Sequence, residues 1–126
     1  MRIEEIFLIS LGATLGANTR YKILTKLQNT SFHKNYFILI INTFSCFCLG
    51  LFLSFIEQFG SFMYSYQLIL FFSIGFLGSL SSFSSFIYDL FELCLKLKFS
   101  RAFNLFIISS FLGIIAFAFG LFLVKQ

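Results

Sequence analysis

The sequence predicts an all-α membrane protein with four transmembrane helices, the third of them broken at mid-membrane. Three observations carry that prediction. Hydrophobic residues make up 59% of the 126 and charged residues only 11%, with a mean hydropathy of +0.95. A soluble domain has about 45–50% apolar and about 25% charged residues, and a chain this short leaves too much surface in water to hide the excess. The apolar residues fall into four stretches, each near the roughly 20 residues that cross a bilayer as a helix. Serine and glycine crowd the centre of the third stretch. The composition excludes a soluble enzyme, a disordered chain and a nucleic-acid-binding domain. Four spans and their short loops consume residues 1–126 as one integral membrane domain.

The first span covers residues 4–20, opening at Glu4 and Glu5 and closing at Arg20. Its mostly acidic start, with helical apolar sequence continuing beyond it, argues against a cleaved signal peptide. Gly12 and Gly16 are four apart, with Ala13 and Ala17 beside them. Small residues at that spacing let another helix backbone come close. A basic loop follows with Arg20, Lys22, Lys26, His33 and Lys34. The second span, residues 36–56, carries Asn42, and a short polar link from Glu57 to Tyr66 leads to the third, residues 67–92. In the centre of that span, Gly75 to Phe86, five of twelve residues are Ser and two are Gly. Lys96, Lys98 and Arg101 form a second basic loop before the last span, residues 102–124, which contains Ser109, Ser110 and Gly113.

The formal charge of +4 reads as juxtamembrane Lys and Arg rather than as a nucleic-acid footprint. The loops joining spans 1 to 2 and 3 to 4 lie on one side and hold seven cations: Arg20, Lys22, Lys26, Lys34, Lys96, Lys98 and Arg101. The other side holds two, Arg2 and Lys125. Under the positive-inside rule both termini face away from the cytoplasm. Cys46, Cys48 and Cys94 sit inside apolar runs, form no disulfide framework and have no zinc spacing. Most of the 22 Phe residues serve packing or face lipid.

Lipid satisfies no backbone N–H or C=O group, so irregular backbone at membrane depth survives only inside protein or beside water. The Ser/Gly-rich segment predicts such a break, and a broken helix offers N–H and C=O groups for ion sites. The alternative is a continuous helix whose Ser hydroxyls bond back one turn. Asn42 needs a partner, because an unpaired buried amide costs on the order of 2–7 kcal/mol; water, Ser or Thr can supply it. No Asp, Glu, Lys or Arg lies at a span centre, since Asp89 and Arg20 fall near ends, and so no intramembrane carboxylate is well placed. A proton-coupled carrier normally needs one. No nucleophile–base pair, phosphate loop or metal box of side chains appears, so no enzyme is expected. Phe83 and Phe86, three apart, share a helix face. Their electropositive ring edges, with Ser84, Ser85 and Ser109 as hydroxyl donors, suit a small anion if they line a path and are otherwise plain packing.

Four patterns together resemble the CrcB/Fluc fluoride channels over nearly the whole chain. The first motif reads Leu11-Gly12-Ala13-Thr14-Leu15-Gly16-Ala17-Asn18-Thr19-Arg20-Tyr21. In the second helix Asn42, Phe47 and Gly50 match, while Ser45 and Cys46 replace a Gly-Ser pair. In the third Gly75, Phe76, Gly78, Phe83, Ser84 and Phe86 are in register, Ser79 stands for a Gly, and Ser81, Ser82 and Ser85 stand for Thr. Ser109 and Gly113 match the fourth.

The resemblance implies an antiparallel, dual-topology dimer with two fluoride pores in the inner (plasma) membrane. The resemblance further implies export of fluoride, which lowers its cytoplasmic concentration. It assigns Phe83 and Phe86 as pore aromatics, Asn42, Ser84, Ser85 and Ser109 as polar pore ligands, and Arg20 to the vestibule. It also implies a structural, untransported sodium ion held by the backbone carbonyls of Gly78 and Ser81 in each subunit. Ser keeps the hydroxyl of Thr but loses its methyl and rotamer stiffness, so the replacements bear on rate and rigidity more than on site identity. An antiparallel homodimer needs a weak charge bias, and seven against two is not weak. The expected partner is therefore a homologous subunit of opposite orientation. A four-helix multidrug exporter, which wants a carboxylate in its first helix, and a non-transporting membrane subunit are the other readings.

Overall fold

The computed structural model describes residues 2–27, 34–60 and 63–126. His33 of the first basic loop and the side chain of Lys34 lie outside the described residues. The elements are α1 (Ile3–Leu27), α2 (Lys34–Phe59), α3 (Ser65–Leu68), a π-helical segment (Ile69–Leu77), α4 (Gly78–Leu80), α5 (Phe83–Leu95) and α6 (Phe99–Val124). Helix ends overrun the expected spans: α1 continues past Arg20 to Leu27 and α2 reaches Phe59. Polar residues near a bilayer surface do not end a helix, because its hydrogen bonds remain internal there.

Among the described residues, three helices are long and apolar enough to cross a membrane: Tyr36–Phe59, Ser65–Leu95 and Phe99–Val124. This is a multi-pass membrane architecture. The 25-residue α1 is long enough but is not one of the three, because Glu4, Glu5, Arg20, Lys22 and Lys26 dilute both of its ends. The outward face of α6 is apolar, with Phe103, Phe111, Ile114 and Phe122 all exposed, as suits a helix solvated by lipid.

The helices pair in two parallel couples. In the first, α1 lies along the π segment. A Cβ on Gly12 would collide with the Phe71 carbonyl oxygen, and one on Gly75 would come within 2.8 Å of the Ile9 carbonyl oxygen. The small-residue pattern of α1 is thus a real crossing. In the second couple α6 lies along α2, and a Cβ on Gly120 would sit 2.9 Å from the Leu51 nitrogen. Ser54 donates to the Leu121 carbonyl at 3.0 Å, and Lys125 pairs with Glu57 at 3.4 Å at one end. Ile41, Leu77 and Leu80 tie the couples together, with Ile23, Leu24 and Leu49 around them.

The third stretch departs from an α-helix twice. Over Ile69–Leu77 the turns widen, and the Gly78 N–H reaches back to the Ser73 carbonyl, five residues away. At Ser81 (φ −69°, ψ 138°) and Ser82 (φ −123°, ψ 94°) the backbone becomes extended. The chain contains no proline, so no missing N–H imposes this break. α5 ends in a tight turn: Leu97 adopts φ 55°, and the Lys98 N–H bonds the Leu93 carbonyl at 3.0 Å. A side chain in the left-handed region is costly, and here it reverses the chain within three residues.

Candidate ion site at the helix break

The break is held open by side chains of two helices. The Ser81 N–H still bonds the Leu77 carbonyl at 3.0 Å. The next N–H, of Ser82, would reach the Gly78 carbonyl in a continuous helix. Instead it donates to Asn42 Oδ1 at 2.8 Å. Asn42 thus finds its partner in the backbone of the break.

Ser82 then restarts the helix as the N-cap of α5. Its hydroxyl oxygen accepts from the Ser85 N–H at 3.2 Å and donates to Ser85 Oγ at 2.7 Å. The pair satisfies one orphan N–H, that of Ser85; the Ser82 N–H, which the N3 side chain would hold in a capping box, is held by Asn42 instead. Ser82 is a site residue that the sequence patterns do not single out. The signal was present in its spacing from Ser85, but it is blurred by four serines in five positions.

These two diversions release two carbonyls. The Ser82 N–H is held by Asn42, which leaves Gly78 O with only a 3.4 Å contact from Ser81 Oγ. The Ser85 N–H, the ordinary donor to Ser81 O, is held by Ser82 Oγ. Gly78 is itself exposed and Ser81 half-buried, so this backbone lies at the surface of the chain. Oxygen donors of this kind are what a hard cation takes, and the residues fit a sodium ion. Between them, Ser79 O accepts from Arg20 Nη1 at 3.2 Å. Arg20 therefore sits at the break itself, with its charge beside the carbonyl end of α4.

Beyond the break, α5 presents the N-terminal end of a 13-residue helix, the end that favours negative charge. Phe83, its first residue, is 74% exposed, whereas Phe86 is 8% exposed and stacks on Phe106 at 6.4 Å between ring centroids. One shared helix face thus divides into one ring standing free and one packed inward. Ser84 is exposed, Ser85 half-buried and engaged with Ser82, and Ser109 half-buried on α6. Asp89, one turn beyond Phe86, is 2% exposed; sequence position put it at the end of a span, and packing buries it. No group of three or more His, Cys, Asp or Glu side chains among the described residues can hold a metal. The ligand chemistry of the break is that of backbone groups, hydroxyls, an amide and ring edges.

Comparison with known proteins agrees in extent as well as in sequence. Residues 7–121 match the family described as "CrcB-like protein, Camphor Resistance (CrcB)". Fluoride-specific ion channel FluC 2 of Prochlorococcus marinus (strain NATL2A) is 64% identical over 124 residues, which span 98% of this chain and all of the relative. Fluoride-specific ion channel FluC of Thermosipho melanesiensis is 37% identical over 121 residues, 93% of either chain.

Proposed function

This chain belongs to the CrcB family, and on that premise we propose that it is a fluoride-specific channel that exports fluoride across the plasma membrane. It is not an enzyme. Hydrogen fluoride, a neutral weak acid, crosses lipid and dissociates in the less acidic cytoplasm. The negative-inside potential then drives the anion outward through a passive path, at about 2.3 kcal/mol per charge per 100 mV.

Within the molecule, the observation that carries this reading is the hydrogen bond from the Ser82 N–H to Asn42. It opens a polar break in a helix otherwise apolar enough to span a membrane. Phe83 and Phe86 offer ring edges to a dehydrated anion, and Asn42, Ser84, Ser85 and Ser109 are the polar groups along its way. Arg20 sets a positive charge at the approach. A structural sodium ion on the Gly78 and Ser81 carbonyls would supply fixed positive charge near the path.

A second subunit belongs to the same reading. Gly78, Phe83 and Ser84 are exposed at the break, and lipid cannot satisfy the polar backbone there. An antiparallel partner covers this face and completes the sodium shell with its own carbonyls. The cation bias between the two ends favours a homologous subunit of opposite orientation. Equal populations of both orientations, measured on terminally tagged protein in cells, would overturn that hetero-pairing.

Fluoride efflux from liposomes holding the purified protein, alone or with a homologous second subunit, tests the function. We expect fluoride flux without chloride flux, and its loss in Phe83→Ile with assembly intact. Equal flux of both halides, or none in either preparation, rejects the reading.

A further inference from the structure

A cavity of about 630 Å³ lies where the starts of α2 and α6 meet the end of α5. Its cations are Lys96, Lys98 and Arg101, with Asn104 beside them. Its apolar wall is Leu39, Leu93, Leu105 and Ile108. Lys96 is already paired with Glu92 at 2.6 Å, which leaves Lys98 and Arg101, both exposed, as the attractive charges. The 26-residue α6 begins here, and its N-cap Lys98 makes no side-chain capping bond. The positive end of the helix dipole therefore adds to theirs. Ile108 is 49% exposed, so the apolar wall runs on to the membrane-facing surface of α6.

We infer that this cavity seats one anionic phospholipid, with its phosphate between Lys98 and Arg101 and an acyl chain along Leu105 and Ile108. Three features select a lipid over a soluble anion. The volume far exceeds that of a small inorganic ion. The wall is apolar and continuous with lipid-facing surface. The cations stand at the ends of membrane-spanning helices, at headgroup level, where basic pockets between helices hold anionic headgroups. The tight turn at Leu97 fixes Lys98 at the mouth.

Native mass spectrometry of the full chain, purified with equimolar phosphatidylglycerol and phosphatidylcholine, tests the inference. The expected result is retention of one phosphatidylglycerol per chain over phosphatidylcholine. Lys98→Gln with Arg101→Gln should lower that retention about 30-fold, the factor for two juxtamembrane cations. The charge-preserving Lys98→Arg with Arg101→Lys should retain it, which separates charge loss from misfolding. Equal retention of the two lipids overturns the inference, as does retention unchanged in the neutralised variant. Displacement of phosphatidylglycerol by millimolar inorganic phosphate assigns the cavity to a soluble anion and also overturns it.

Discussion

The two helix couples use the same device and reach different ends. In the α2–α6 couple, Gly50 and Gly120 bring two backbones together, and both helices run unbroken for 26 residues. In the other couple, Gly12 and Gly75 bring α1 against the π segment just as closely, and the helix they pack against breaks six residues after Gly75. Close glycine packing is therefore not what breaks a helix. The difference is a competing acceptor: Asn42 reaches the Ser82 N–H from α2. What α2 sends into α6 is a donor: the Ser54 hydroxyl bonds the Leu121 carbonyl and takes no N–H from the helix ladder, while Ser110 bonds back to the Phe106 carbonyl of its own helix at 2.9 Å. The straight couple is chiefly scaffold and the other carries the break, with Asn42 of α2 and Ser109 of α6 completing the candidate site.

The largest effect is expected on the scaffold. In Gly120→Val a side chain would enter against Leu51 and Gly50 backbone, which has no flexible end to move aside. No monodisperse protein should emerge from size-exclusion chromatography, and a normal elution profile would break the comparison. Next comes Asn42→Ala, which leaves the Ser82 N–H without its acceptor. An unsatisfied buried donor costs about 1–3 kcal/mol, so the variant should assemble with a lower unfolding midpoint and lose fluoride efflux. Ser82→Ala removes only the cap of α5, about 1 kcal/mol, and should slow efflux without abolishing it. Smallest is Ser110→Ala, whose back-bond serves only its own helix; its midpoint should stay within about 0.5 kcal/mol of the parent. If Ser110→Ala proved as damaging as Ser82→Ala, the division into scaffold and site would fail.

Much of this was legible beforehand. Hydrophobic run length placed the helices, because lipid leaves few other solutions. The density of Ser and Gly from Gly75 onward placed the break, because those residues add little apolar bulk and compete for backbone hydrogen bonds. The π segment was not legible: Ile69–Leu77 is an ordinary apolar run, and nothing in its composition sets it apart from the α-helical runs. Nor was the partner of Asn42, since a lone amide shows its need for a hydrogen bond but not which helix answers it. Phe83 and Phe86 were placed on one face by their spacing, but only packing on α6 distinguishes the ring that is covered from the ring that is free.

The absence of proline at the break has a consequence for assembly. Every amide of the third stretch retains its hydrogen, so its serines weaken a straight rod at that point without forbidding it. It bends when the second helix docks and its amide side chain captures one proton donor. A chain split between Phe59 and Ser65 and expressed as two pieces would then acquire the bend only on reassociation, which makes the bend a late product of tertiary contact.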